Sequence, residues 1–411
     1  MTARGRAVLA LGVLCWIVAV VFGSPAIYPV AAGLVLVVPF AVAWVRITVR
    51  QPRVIRRWRL DSAHWRNGEL LEGDDVRVER VLEREPRVPL PSVVAHEHVG
   101  RLGGRDVELR PDGRGRQWGS YRLHQVPRGR HRFEPVNLSI SDPFGLAEAG
   151  FAVEDQQALV VYPRLVELER LFLDGGAGPE HGRQLLLRRT AGFDLHSVRD
   201  YQQGESLRRV HWPSTARRGS LMVKELEDSP RDQVAVLLDG DPATVTGSPP
   251  DSSFDAAVRV AGSILLAQVR RGRRCMLILN TAGQETQLVS SDGPEWQLAL
   301  ELLAAAEPDA RDPATALLRS ADAPAARSLE LVVVTSRVQR ALVDRLLERA
   351  LSHRPVALVH VESASFAGRP HRPDPELLRL QAVGVPIAVV RRGDDLAAAL
   401  HGARAAEVAG A

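Results

Sequence analysis

Between Gly192 and Glu227 the chain crowds acids, bases and imidazoles at a density that chemistry would use. Asp194, His196, Asp200, Glu205 and His211 stand among Arg199, Arg208, Arg209, Arg217, Arg218 and Lys224, with Tyr201 and Trp212 between them. Two histidines beside carboxylates are the raw material of general acid–base catalysis or metal-assisted hydrolysis. The spacing argues against both. Neither histidine falls in H-E-x-x-H, no serine sits in G-x-S-x-G, and Cys275 has no thiolate-favouring neighbours. Gly272, Gly283 and Gly293 are isolated, so no glycine-rich loop can cradle a phosphate. A mixed-sign network with two aromatic anchors reads instead as ordered structure, because an unpaired buried charge costs several kcal/mol and a paired one demands fixed geometry. The bland alternative is a solvated surface of weak ion pairs.

A second place for chemistry follows from the elements downstream. Val234–Leu238 is a continuous apolar strand, Cys275–Leu279 another buried strand, and Leu329–Thr335, Val356–Val361 and Ile387–Val390 continue the series. They alternate with helical patterns at 254–271, 294–306, 338–351, 376–383 and 394–403. Fully apolar strands separated by helices predict a parallel, doubly wound α/β sheet covered on both faces. Ligands bind such sheets at the carboxyl ends of the strands, which places a site at Asp239 and its following loop and at Thr335-Ser336.

Upstream, the patterning changes twice. Ala7–Phe22 and Ile27–Val45 are charge-free apolar runs separated by Gly23-Ser24-Pro25, with spans expected at about 7–23 and 27–45. Arg4 and Arg6 precede this hairpin and Arg46, Arg50, Arg53, Arg56, Arg57 and Arg59 follow it, so the positive-inside rule puts both termini in the cytoplasm. The basic segment would add roughly 1 kcal/mol per residue of attraction to anionic lipid. From about Leu60 to Pro163 short runs alternate between Gly and Pro breaks, at 76–81, 107–109, 118–126, 136–140 and 158–162, which predicts a small antiparallel sandwich. Within it, Asp142-Pro143-Phe144-Gly145-Leu146 reads as a Pro-fixed turn plugged by Phe144. The domain boundaries are therefore 1–50, 51–165, a charged segment 166–232, and 233–411. A net charge of +4 over 411 residues, with Lys224 the sole lysine, makes no nucleic-acid footprint. Cys15 and Cys275 form neither a metal pattern nor a plausible disulfide.

The run Arg199, Tyr201, Gly204, Glu205, Arg208, His211-Trp212 and Ala216-Arg217 resembles the signature of the bacterial "domain of unknown function 58" family. Pro127-Arg128-Gly129, Ser141 to Leu146 and Val161-Tyr162-Pro163-Arg164 resemble its preceding segment. The resemblance implies a membrane-anchored multidomain protein that ends in a von Willebrand A-like domain. It also implies a partner, a MoxR-type AAA+ ATPase, in an assembly or chaperone-like task. In such a domain a D-x-S-x-S loop after the first strand would bind Mg²⁺. Here the loop reads Asp239-Gly240-Asp241-Pro242-Ala243, and Thr335-Ser336-Arg337 replaces a later acid. Asp239, Asp241 and Thr335 remain as oxygen donors of a degenerate site, Ala243 supplies none, and Arg337 opposes a cation. The reading is a cytoplasmic scaffold or protein-interaction module without a required cofactor; the alternative is a metal-dependent hydrolase using the Asp239 loop or the His196/His211 region. Within the signature, Tyr201 and Trp212 are expected to pack against the sheet while Arg208 and Arg217 pair with Asp200 and Glu205.

Overall fold

The computed structural model describes residues 1–49, 53–60, 69–83, 92–111, 116–154, 157–175, 195–200, 212–226, 233–290, 293–319, 323–371 and 373–401. It divides into two compact units, Met1–Tyr162 and Pro163–Ala411.

The first unit begins with α1 (Ala3–Phe22) and α2 (Ile27–Val49). Each is long and apolar enough to cross a membrane. They pack closely. A Cβ on Gly12 would lie 2.9 Å from Val35 Cγ2, so a larger residue there would push the helices apart. Thr2 caps α1 by accepting the Gly5 amide at 3.1 Å, and its hydroxyl also donates to the Gly145 carbonyl at 2.6 Å. Gly5 passes so near the same turn that a Cβ would meet the Leu146 carbonyl oxygen at 2.2 Å. Ala41 and Val45 of α2 pack with Leu146 and Ala147, so the hairpin and the β region share a small core.

Among the described residues that β region contains ten strands: β1 (Arg53–Leu60), β2 (Leu70–Leu71), β3 (Val76–Glu83), β4 (Ser92–His98), β5 (Gly104–Pro111), β6 (Arg116–Leu123), β7 (Gly129–Arg132), β8 (Val136–Ser141), β9 (Glu148–Val153) and β10 (Ala158–Tyr162). One sheet runs β1-β3-β6-β5-β4-β8-β9 and a second β2-β10-β7. β5 pairs with β4 over most of its length but with β6 only through Arg110 and Pro111. Gly119 sits where these strands crowd: a Cβ there would come within 2.7 Å of Val107 Cγ1 and 2.8 Å of the Glu108 carbonyl oxygen. Leu82 of β3 thereby shares a core with Val93 and Ala95 of β4 and Leu138 and Ile140 of β8, while Leu70, Leu159 and Val161 of the small sheet cover Val76 and Val78. The expected two-sheet architecture is present, with one correction: β2 and β10 pair in parallel.

Residues 76, 78, 80 and 82 all point inward along β3, and the third of these is Arg80. It is 1% exposed and its Nε donates to Glu97 Oε2 at 2.9 Å, Glu97 being 2% exposed. Two charges withdrawn from water hold only while both are present. Arg80→Ala or Glu97→Ala alone should lower stability by about 3–5 kcal/mol, whereas Arg80→Met with Glu97→Leu should stay near wild type or above it. Chemical unfolding of the purified protein measures both.

The second unit opens with an irregular segment that joins its core: Leu168, Leu171 and Phe172 are buried, and the Val166 amide donates to Ser263 Oγ at 3.0 Å. After the antiparallel pair β11 (Leu195–Asp200) and β12 (Met222–Leu226) come β13 (Gln233–Asp239), β14 (Arg274–Asn280), β15 (Thr286–Val289), β16 (Glu330–Thr335), β17 (Val356–Val361) and β18 (Ile387–Val390). These six form one sheet in the order β15-β14-β13-β16-β17-β18. All neighbours are parallel except β15, an antiparallel edge strand that the apolar pattern does not announce. Both faces are covered. Val234, Val236 and Leu238 of β13 pack with helices Ser253–Arg270 and Pro294–Ala305, and Ala235 and Leu237 with helices Arg340–Leu351 and Pro375–Ala382. Arg349 binds the entry to β16, donating to the carbonyls of Ala325 at 3.2 Å and Ser328 at 2.6 Å. Burial holds its guanidinium pKa down to about 10.

Candidate functional site

In the order β15-β14-β13-β16-β17-β18, the chain leaves β13 toward β14 on one side and later returns on the other side through β16. The carboxyl ends of β13 and β16 therefore diverge, and the crevice between them is where doubly wound sheets place ligands. Asp239, Asn280 and Thr335 are the last residues of β13, β14 and β16. Asn280 Nδ2 donates to Asp239 Oδ1 at 2.8 Å, and Thr335 Oγ1 donates to Asp239 Oδ2 at 2.8 Å. Both carboxylate oxygens are thus engaged from neighbouring strands. Burial raises the Asp239 pKa above the ordinary carboxylate range, and the two donors oppose that rise.

Gly240 lets the chain leave here. Its amide donates to the Asn280 carbonyl at 3.0 Å, and a Cβ would stand 2.6 Å from that oxygen. Asp241 accepts the Ala243 amide at 3.0 Å, starting a short turn at Pro242–Thr244, and its other oxygen lies 3.5 Å from Arg337 Nη1. The Arg337 amide donates to Thr335 Oγ1 at 3.0 Å. Further along, Ser252 and Asp255 form a capping box that fixes the start of the helix Ser253–Arg270. The predicted donors Asp239, Asp241 and Thr335 are therefore brought to one edge, through contacts that leave little for a cation: an amide and a hydroxyl on Asp239, a guanidinium beside Asp241, and a methyl at Ala243. The residues do not fit a divalent-cation centre. Among the described residues no three His, Cys, Asp or Glu side chains are grouped as metal ligands.

Next to this edge lies a second polar group that sequence reading missed. Glu362, just past β17 and 5% exposed, accepts Arg391 Nε at 2.8 Å and is bonded by His371 Nδ1. Burial lowers the pKa of His360, two residues earlier. Asn280 was also missed, although it ends an apolar strand as Asp239 and Thr335 end theirs. Cys275 is inert: burial pushes its thiol up to about 12.

Residues 197–365 match the family model described as "Protein of unknown function DUF58". This segment belongs to the DUF58 family. The matched range runs from β11 to just past β17 and includes the whole Asp239 edge. The chain is also 30% identical over 229 residues to the uncharacterized protein YeaD of Bacillus subtilis (strain 168), an alignment covering 53% of each chain. It thus spans about half the length of that relative. Among solved structures, the alkylpurine DNA glycosylase AlkC of Pseudomonas fluorescens aligns at 17% identity over 34% of this chain and 42% of its own, with a TM-score of 0.15. Cwp6 from Clostridium difficile aligns at 9% identity over 74% and 45%, with a TM-score of 0.16. Neither superposition bears on the fold.

Of the DUF58 signature, Arg199 lies in β11 opposite Val223 of β12. Tyr201, Gly204, Glu205, Arg208 and His211 lie outside the described residues, as does Asp194. Trp212 opens the helix Trp212–Arg218, and Ala216 and Arg217 are exposed on it. The expected packing of Trp212 against the sheet is corrected: its ring is 65% exposed. A helix of seven residues, anchored by the Met222 amide on Thr215 Oγ1 at 3.0 Å, carries the tryptophan outward.

The Asp239 geometry separates two substitutions. Asp239→Asn preserves an acceptor for Asn280 and a donor for Thr335 while removing a buried charge, so its melting temperature at neutral pH should match or exceed wild type. The wild type should close that gap as pH falls through the raised Asp239 pKa, because protonation relieves the buried charge. Asp239→Ala strands both partners and should cost about 1–3 kcal/mol. Thermal melts of the three proteins across neutral to acidic pH distinguish these outcomes.

Proposed function

We propose that this DUF58 protein is a membrane-anchored scaffold whose α/β unit binds another protein across the carboxyl edge of its sheet. The observation that carries this reading is the closure of the Asp239 site by the chain's own groups. An edge whose acids are engaged by Asn280, Thr335 and Arg337 presents a shaped polar surface rather than an open coordination sphere. The Asp239-Gly240-Asp241 loop after the first strand of the sheet, at its switch point, supports a von Willebrand A-like domain whose metal site has degenerated. The paired apolar helices support a hairpin that crosses the cytoplasmic membrane twice, with Arg4, Arg6 and Arg46 keeping both ends in the cytoplasm. The family resemblance supplies the partner, a MoxR-type AAA+ ATPase.

Affinity purification of the full-length protein from its native membranes in mild detergent, with and without ATP, tests the proposal. An AAA+ ATPase should co-purify in near-equal amount and be lost in Arg337→Glu, a change at an exposed side chain that leaves the core intact. Recovery of no stable partner in either condition would sink the scaffold reading. In parallel, saturating Mg²⁺ or Mn²⁺ should leave the melting temperature unchanged, whereas a genuine site at a hundredfold excess over Kd would add about 2.7 kcal/mol of stability.

A further inference from the structure

The turn between β8 and β9 was expected to bury Phe144 as a plug. Its backbone is as rigid as that expectation requires. Asp142, 4% exposed, accepts the Leu146 amide at 2.7 Å and the Ala147 amide at 3.3 Å, and Gly145 takes a φ of +67°. Yet Phe144 points into solvent, 71% exposed. A lone exposed aromatic is ordinarily unremarkable. What distinguishes this one is its place. The turn that carries it is bonded to the first residue before α1: the Thr2 amide donates to the Leu146 carbonyl at 3.0 Å and the Thr2 hydroxyl to Gly145. Gly145 also lies beside the Arg4 guanidinium.

Phe144 is therefore fixed at the level where the hairpin begins. Its exposure equals that of the outward-facing hairpin residues, such as Val21 at 69%, Leu36 at 65% and Phe40 at 67%. Among the residues of the first unit whose side-chain exposure is described, outside the hairpin and Met1, the only other large exposed apolar side chain is Trp118, at 49%. The charges around the turn agree. Arg4, Arg6 and Arg46 stand at this end of the hairpin, and the Asp142 carboxylate is turned inward onto amides. The neighbouring Glu148 is bonded by Ser139 Oγ.

From this placement we infer that the Asp142–Ala147 turn is a second membrane contact, with Phe144 inserted among the headgroups and upper acyl chains of an anionic bilayer. An aromatic ring on a rigid turn, flanked by arginines, matches the chemistry of that zone: the ring enters the apolar boundary and the guanidinium groups meet lipid phosphate. The contact would set the depth of the β region, since Thr2, Gly5 and Leu146 join the turn to the helix end. The inference rests on the membrane-anchor reading proposed above.

Site-directed fluorescence tests both and keeps them apart. Cys15→Ser removes the reactive background thiol, since Cys275 is buried. Single Phe144→Cys and Leu36→Cys variants of the full chain are then labelled with bimane and reconstituted in phosphatidylcholine–phosphatidylglycerol vesicles, with or without phosphatidylcholine spin-labelled at both shallow and mid-chain acyl positions, so that interfacial and mid-bilayer sites are both within reach of a label. Spin label should quench bimane at position 144 at least half as strongly as at position 36. Quenching at 36 but not at 144 overturns the inference and leaves the anchor standing. Quenching at neither position overturns both. Loss of quenching at 144 when phosphatidylglycerol is omitted would confirm that the arginines contribute; persistence would refute the anionic requirement.

Discussion

The carboxylate of Asp239 constrains the α/β unit more than any other group. A charge that is 8% exposed must be met by donors, and these come from the strands on either side. Asp239 pairs with Asn280 in the β13–β14 ladder, and Leu238 pairs with Val334, which brings Thr335 to the same level. Three parallel strands therefore have to end together. Gly240 has to follow, because the chain turns away through a gap that admits no side chain. Held in this way, the acid organises a surface. The same engagement occupies both of its oxygens with one donor each, and Arg337 beside Asp241 opposes a cation there.

The apolar runs of β13, β14, β16, β17 and β18 were legible because strands covered on both faces need no polar alternation. β15 was not. Thr286, Gln287 and Leu288 are only partly buried or exposed, as an edge strand allows, and four residues give too short a pattern. β1 was masked by its own arginines, which read as a basic stretch after the hairpin. In β4 the inward position is taken by Glu97 between two exposed histidines, so alternation of charge hid alternation of burial. At the site, Asp239 and Thr335 were visible as strand-terminal residues. Asn280 and the Glu362–Arg391 pair were not, since partners 41 and 29 residues apart share no local spacing. For Phe144 the sequence pointed to a rigid turn but carried no signal of which way the ring faces.

The pairing of Arg80 with Glu97 belongs to a different kind of constraint. Leucine-sized residues could fill that space at no loss of stability, so the pair is better understood as fixing which strands face one another. β3 and β4 are far apart in the order of their sheet, and a guanidinium that must find one carboxylate admits a single alignment. Gly119 serves the same end by letting β5 fold across β6 without a clash.

The bonds from Thr2 to Gly145 and Leu146 span 143 and 144 residues. Loops of that length close late, after local and hairpin contacts have formed. The first turn of α1 thus depends on partners that lie 143 and 144 residues downstream. Its hydroxyl and amide wait until β8 and β9 have met and the turn between them is shaped. In this sense the β8–β9 turn acts as a latch on the end of a helix pair that local contacts can form by themselves.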